Sequence, residues 1–388
     1  MSRIPVLLEM ISGLIATPSV SSVEPALDQG NLAVIELLAS WLEDTGFAIE
    51  IMHLPGKPAK ANLIATLGHG SNGLVLAGHT DTVPYDEGKW RHDPFRLSVT
   101  GDRLYGLGTS DMKSFLALAL EAVRELDADN LQQPLILLAT ADEESSMSGA
   151  RTLVEQRYPL ARHALIGEPT GLRPVRMHKG ILMEAIRLSG QSGHSSDPAS
   201  GNSALEAMHS VLGALINWRK ELQARHRNPL FAVPVPTLNL GHIHGGDNPN
   251  RICGSCDLHI DLRPLPGMDL QELRGELRQR VLDVLQDTGI KADFESLFEG
   301  IPAMETPANA RIVQLAERLT GHSSEAVAFA TEAPYLRRLG METVILGPGD
   351  IAQAHQPDEY IRVDQLDPTV RLLKSMIDTV CIRDWQLL

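Results

Sequence analysis

The run Gly73-Leu74-Val75-Leu76-Ala77 carries no polar side chain, is too short for a buried helix, and reads as a strand covered on both faces. It runs directly into Gly78-His79-Thr80-Asp81-Thr82-Val83-Pro84. In an open α/β sheet, ligands bind where such strands end. His79 and Asp81 are two residues apart, so in extended backbone they point to one side, as a metal-binding imidazole and an orienting carboxylate would. Taken alone, the pair is explained as well by an ordinary hydrogen-bonded turn.

The same grammar recurs. Pro134 to Thr140 is an apolar strand that meets Asp142-Glu143-Glu144, and Ala164-Leu165-Ile166 meets Gly167-Glu168-Pro169. Helical spacing covers Arg3 to Ile15, Leu27 to Thr45, Ser114 to Leu126 and Gly149 to Arg157. This alternation predicts an α/β fold: a mixed, mostly parallel sheet flanked by helices. Near His178 the pattern changes. A strand at Ile181–Leu188, a helix at Ser203–Arg225, strands at Thr237–Gly241 and Arg251–Leu262, and a helix at Asp269–Asp287 make a β-α-β-β-α unit. The α/β pattern then resumes with a helix at Asn309–Leu319, a strand at Thr343–Leu346 and a helix at Pro368–Val380. With 388 residues, two domains are expected. The catalytic domain would be split between 1–177 and 290–388, with an inserted α+β sandwich at 178–289 as lid and dimerisation domain.

A formal net charge of −15 leaves no basic footprint for nucleic acid. No apolar stretch approaches membrane-spanning length, and Glu9 interrupts Val6 to Ile15, which therefore reads as an amphipathic helix and not a signal peptide. The expectation is a cytoplasmic protein with no membrane partner. Cys253, Cys256 and Cys381 cannot make a disulfide framework, and Cys253-x-x-Cys256 lacks the second ligand pair of a zinc knuckle. They read as structural thiols.

Further candidates lie at or after strand ends. Asp111 closes the loop Gly106-Leu107-Gly108-Thr109-Ser110 ahead of a helix, where an N-cap role is equally natural. Glu143 and Glu144 follow one strand, Glu168 another, and His355 lies in Gln353-Ala354-His355-Gln356-Pro357. Each has a bland reading. Together, two histidines and three carboxylates suit a pair of zinc-like ions, one acid bridging them and a surplus acid serving as general base. A site of that kind activates a water between the ions.

These motifs, Gly78 to Pro84, Gly106 to Lys113, Asp142-Glu143-Glu144, Gly167-Glu168-Pro169 and His355, appear in an order that resembles the M20 metallopeptidase and deacylase family. Within it the chain looks most like the acetylornithine deacetylases. That likeness is carried by Gly190 to Pro198, Pro236 to Asp247, Asp261 to Met268, Thr331 to Pro334 and Leu346 to Gly349 with Gln353 to Tyr360. The resemblance implies two divalent metal ions, zinc or alternatively cobalt, and a homodimer. Asp111 would bridge the ions, His79 and Glu168 would hold one, and Glu144 and His355 the other. Asp81 would orient His79, and Glu143 would take a proton from the bridging water and return it to the leaving amine. His194, on the inserted domain, would reach the oxyanion, often from the partner subunit; Asn250 and Arg263 would contact the substrate carboxylate, with backbone at Gly347 and Gly349 lining the same pocket. The implied reaction is removal of the acetyl group from N2-acetyl-L-ornithine, giving L-ornithine and acetate for arginine biosynthesis. The alternative is a deacylase or dipeptidase for another small N-acyl amino acid, such as N-succinyl-diaminopimelate. Glu332 and Asp350 are acids available to an ornithine ammonium, although structural or solvent-facing places are the simpler reading of both.

Overall fold

The structure is a computed structural model that describes residues 4–43, 45–158, 160–383 and 385. Arg3 and Asp44, which fall within the two N-terminal helices expected from sequence, lie outside the described residues. The chain forms two compact units, one of Met1–Arg176, Thr306–Glu325 and Thr331–Leu388, the other of Met177–Glu305 with Ala326–Ala330. The strands used below, in chain order, are β1 (Ala48–Leu54), β2 (Lys57–Leu67), β3 (Leu74–His79), β4 (Leu135–Thr140), β5 (His163–Pro169), β6 (Leu182–Ser189), β7 (Thr237–Gly245), β8 (Ser255–Arg263), β9 (Lys291–Ser296) and β10 (Glu342–Gly347).

In the first unit the strand order β1-β2-β4-β3-β5-β10 makes a mixed sheet. β3 runs parallel to both β4 and β5, and β5 parallel to β10, while β1 and β2 are antiparallel. β3, β4 and β5 are buried along their whole length, as their uninterrupted apolar sequences require. Parallel pairing brings the C-terminal ends of three strands to one edge. His79 is in register with Thr140, and Glu168 lies one residue before the pairing of Pro169 with Gly347. Helices α1 (Leu7–Ile15), α2 (Leu32–Glu43), α3 (Lys113–Val123), α4 (Ser148–Glu155), α7 (Arg311–Thr320), α8 (Ala333–Arg338) and α9 (Leu366–Ile377) belong to this unit; α5 (Ala204–Arg225) and α6 (Leu270–Leu285) belong to the other.

α3 is the helix that anchors the site. All its residues except Glu121 are buried, and it packs against α1, α9 and β3. Burying side chains such as Phe115 and Leu118 contributes about 1.5–3 kcal/mol each. The Phe115 ring lies so close to β5 that a Cβ on Gly167 would come within 2.1 Å of it, so Gly167 is what lets the strand bearing Glu168 sit down on the helix.

The second unit is a four-stranded antiparallel sheet in the order β7-β8-β6-β9, with α5 (Ala204–Arg225) and α6 (Leu270–Leu285) packed together over one face. Ser203 caps α5 and Asp269 caps α6 through their side chains. The unit continues to Glu305, past residue 289, because β9 completes the sheet against β6. A short strand of mixed composition, Lys-Ala-Asp-Phe-Glu-Ser, carries no strong alternation of its own, and only the partner strand reveals where it belongs.

Candidate active site

β3 delivers His79, 1 % exposed, to the sheet edge. Its Nδ1 donates to the main-chain carbonyl oxygen of Asp81 at 3.0 Å, which fixes the ring with Nε2 turned towards Asp111. The Asp81 carboxylate is 3.9 Å from Nδ1 and accepts instead from the backbone N–H groups of Glu143 (3.3 Å) and Glu144 (3.0 Å). The sequence expectation that this carboxylate aims the imidazole is thus revised. The backbone of Asp81 aims the ring, while the carboxylate holds the acidic turn beside it.

Asp111 stands at the end of its glycine loop, joined to Met112 by a cis peptide, just ahead of α3. Its Oδ1 is 3.1 Å from His79 Nε2, and its Oδ2 is 3.6 Å from His355 Nε2. One carboxylate therefore faces two imidazoles, one through each oxygen. The loop is held by a residue to which sequence reasoning assigned no role. Glu359 accepts from the backbone N–H groups of Gly108 (3.0 Å), Ser110 (2.7 Å) and Asp111 (2.9 Å). Burial and the Asp111 charge push the Glu359 carboxyl up to about 8, against the pull of those three donors. The segment that supplies His355 thereby also locks the loop that supplies Asp111.

His355 is exposed, sits in the left-handed region with φ of 60°, and lies 3.0 Å from Glu144 Oε2; that hydrogen bond raises its pKa to about 9. Candidate ligand atoms of His79, Glu143 and Glu168, and of His79, Asp111 and Glu144, fall in two groups, each within 4.8 Å. Burial and the neighbouring carboxylates lift Glu143 and Glu168 well above the ordinary range, with His79 opposing; Glu144 is raised by burial and Asp111. Burial opposes charge on His79, yet its bond to Asp111 and the charges of Glu143 and Glu168 hold its pKa well up. Four acids crowded on two imidazoles are a cluster short of positive charge. Divalent cations with nitrogen and oxygen ligands relieve that shortage, so the residues present fit a two-metal centre. The Glu143 carboxylate has no hydrogen-bond partner among the described residues, which leaves it available for proton transfer.

Behind the acidic turn lies a second arrangement that the sequence reading did not identify. Asp142, φ 58°, is buried and its carboxylate meets Lys57 Nζ at 2.5 Å, Lys60 Nζ, Ser148 Oγ at 2.7 Å and Ser21 Oγ at 3.0 Å. Burial would raise its pKa, but these donors bring it down to about 2. Lys60 is also bound by Asp28 at 2.6 Å. The turn carrying Glu143 and Glu144 is thus gripped by Asp81 on one side and two β2 lysines on the other. Lys113, fully buried at the start of α3, donates to Thr17 carbonyl (2.7 Å) and Ser19 Oγ (3.1 Å), and burial brings its pKa to about 7. The available signal was two lysines entering an otherwise apolar strand, and one lysine opening a buried helix.

Gly347 and Gly349 are buried and occupied within their own unit. The Gly347 N–H donates to Thr170 Oγ1 (3.2 Å) and the Gly349 N–H to Gln365 Oε1 (2.7 Å). A Cβ on Gly347 would meet the Gly167 carbonyl oxygen at 2.2 Å, so this glycine permits β10 to approach the strand of Glu168. Glu332 is buried, accepts from Thr140 Oγ1 at 2.7 Å, and is pushed by burial to about 7; exposed Asp350 caps a short turn by accepting from the Ala352 N–H.

His194, Asn250 and Arg263 belong to the second unit. His194 is exposed, and its Nδ1 accepts from the Ser196 backbone N–H at 3.2 Å, with Ser196 Oγ at 2.7 Å. Acceptance at Nδ1 places the proton of the neutral ring on Nε2, which has no partner among the described residues. Asn250 is exposed, and its main-chain carbonyl oxygen accepts from the Ser195 N–H. Arg263 Nε is held by Asp261 at 2.9 Å, and its charge adds to burial in lowering the pKa of Lys179, a further cation that the sequence reading passed over. Cys253 and Cys256 are buried free thiols, Cys256 within β8.

The sequence profile described as Peptidase family M20/M25/M40 matches residues 75–379. Among solved structures, an aminopeptidase PepT from Bacillus cereus is 21 % identical over 96 % of this chain and 98 % of its own, with a TM-score of 0.75. A tripeptidase from Staphylococcus aureus is 20 % identical over 96 % and 97 %, TM-score 0.73. A dinuclear metal-binding peptidase of the M20 family from Bacillus subtilis is 15 % identical over 96 % and 97 %, TM-score 0.66. At these identities the structures share the fold, and the profile, spanning most of the chain, carries the assignment. The chain belongs to the M20/M25/M40 peptidase family.

Proposed function

We propose that the chain is a two-metal amide hydrolase that removes the acetyl group from N2-acetyl-L-ornithine, releasing L-ornithine and acetate for arginine biosynthesis. The observation that carries the hydrolase reading is Asp111, with one oxygen turned to His79 and the other to His355, beside an unpartnered Glu143. The acetyl-ornithine assignment rests on the sequence resemblance, above all Gly190 to Pro198 and Asp261 to Met268.

His79 and Glu168 would hold one ion, Glu144 and His355 the second, and Asp111 both; we assign zinc, with cobalt as the alternative. When bound, such a pair supplies Lewis-acid polarisation of the amide carbonyl and acidification of a water. Glu143 takes the proton of the attacking water and gives it to the leaving amine. Asp81 and Asp142 keep the Glu143 backbone in place for both transfers. From the other unit, His194 in this chain or in a homodimer partner donates its Nε2 proton to the oxyanion. Arg263, with Asn250, grips the substrate α-carboxylate through its planar fork. Backbone at Gly347 and Gly349 lines the same pocket, and Gly347 also lets β10 approach β5. We place the enzyme in the cytoplasm; no helix among the described residues is long and apolar enough to cross a membrane.

A second reading, a dipeptidase or a deacylase of another N-acyl amino acid, is favoured by the peptidase names of the fold relatives. A hydrolysis panel of N-acetyl-ornithine, N-acetyl-methionine, N-succinyl-diaminopimelate and a dipeptide, with zinc or cobalt supplied, separates them. Preference for N-acetyl-ornithine is expected. Turnover of the dipeptide alone would move the assignment to the second reading, and no turnover of any would remove both.

A further inference from the structure

The second unit carries a histidine cluster that the hydrolase reading does not use. β7 contributes His242 and His244, and β8 contributes His259 and Asp257. In the antiparallel register His242 lies opposite His259, and His244 opposite Asp257. Along one strand, residues two apart share a face, and directly opposed residues on neighbouring strands share it too. All four side chains therefore stand on one face of the sheet.

A bulge decides this. From Thr237 to Leu240 the strand is in register with Arg263 to Ile260, and the register then slips so that His242 meets His259. Gly241 is the extra residue. Had the first register continued through Gly241 without the slip, His242 would oppose Leu258, whose side chain belongs to the core under α5 and α6, and His244 would oppose Cys256, also in that core. Bulges commonly re-aim side chains in this way. Here the slip turns both histidines to the face that bears His259 and leaves Ile243 on the core side of the strand.

The rings of His242 and His259 are 4.7 Å apart between centroids, inclined at 39°. Imidazole nitrogens bind zinc at about 2.0–2.1 Å, which puts two rings at a tetrahedral angle with centroids about 5 Å apart. His242 and His244 are exposed and His259 half-buried, and none of the three imidazoles has a hydrogen bond or ion pair among the described residues. On β6, the neighbour of His259 is the small side chain of Ala185, and Arg187 is tied to Asp257 at 2.8 Å, which holds that carboxylate beside the histidines. We propose that His242 and His259, whose rings already face one another, form the core of a surface site for a borderline divalent transition metal, zinc or copper class, which exposed His244, on the same face two residues along β7, joins by side-chain rotation, with water completing the shell. Imidazole ligands select such ions over magnesium or calcium. The site is built wholly from the second unit and does not rest on the hydrolase reading.

The test counts metal. Metal-free full-length protein is titrated with zinc against a chromophoric chelator, so that two tight equivalents attributable to the acidic centre are separated from any weaker one. Wild type should take a third equivalent, and H242A/H259A, checked for fold by circular dichroism, should bind it at least tenfold more weakly. H244A should weaken it by a smaller factor. Copper(II) added to zinc-loaded protein should give an electron paramagnetic resonance spectrum with imidazole nitrogen couplings, lost in the double variant. A third equivalent that survives the double substitution unchanged, its absence from wild type, or a copper spectrum without nitrogen coupling would each overturn the site.

Discussion

The two histidine-bearing regions solve opposite problems. In the first unit His79 is buried among four acids, and the pKa values of Glu143, Glu144 and Glu168 are all pushed up by burial. In the second, His242, His244 and His259 stand on a solvated sheet face. Burial makes the first cluster an electrostatic demand for cations. The second makes no such demand, and only cross-strand geometry points to a ligand. A buried group of like charges is therefore legible from energetics, and an exposed group of neutral donors only from register.

The sharpest way to break that contrast is to remove one member of each cluster. Glu143→Gln should lower kcat by about 10²–10⁴-fold while two metal equivalents remain, because its role is proton transfer. H242A should leave turnover unchanged. If E143Q lost metal to the same extent as activity, Glu143 would be a ligand and the surplus acid would have to be sought elsewhere.

The pH dependence of metal binding should obey the same division. Glu144, Glu168, His79 and His355, four of the proposed ligands, all have raised pKa values without metal, His355 about 9, so they retain protons that a metal must displace. The association constant of the acidic centre should accordingly rise with pH between 6 and 8, about tenfold per unit for each proton released. Proton release measured by calorimetry in two buffers checks the sign. An affinity that fell as pH rose would contradict the arrangement of charges.

A smaller effect is expected behind the ligands. Lys60→Met should reduce metal affinity or kcat by about 10–100-fold, the usual effect of losing a group that orients ligands. Lys60→Arg should recover most of it. Equal loss in both variants, with unchanged metal affinity and only a lowered Tm, would make the lysine pair a fold-stabilising feature alone. Smallest of all, Ser196→Ala should lower kcat several-fold with little change in KM, by releasing the His194 tautomer. A change confined to KM would reassign His194 to ground-state binding.

Much of the candidate cluster was legible in the sequence because His79, Asp111, Glu143, Glu144 and Glu168 sit at or just after the end of an apolar strand or at a helix start, while His355 stands in a loop well past β10. Leu74 to His79, Leu135 to Thr140 and His163 to Pro169 announce themselves by composition, and parallel pairing then aligns the polar residues at their ends. The part that was not legible lies between segments far apart in the chain. Nothing local says that Glu359 accepts from Gly108, Ser110 and Asp111, or that Lys60 reaches Asp142. The local spacing of His79 and Asp81 even suggested the wrong atom, since the carbonyl binds the ring and the carboxylate binds the next strand's turn.

By itself the sequence determined the kinds of element, their order, and the residue types that gather acid and imidazole at one edge. Those result from apolar periodicity and from the chemistry of side chains. Only the tertiary structure decided which oxygen of Asp111 faces which histidine, where β9 is placed, and that a one-residue slip at Gly241 puts three imidazoles on one face. Register and long-range hydrogen bonding are properties of pairs of segments, and no single segment encodes them.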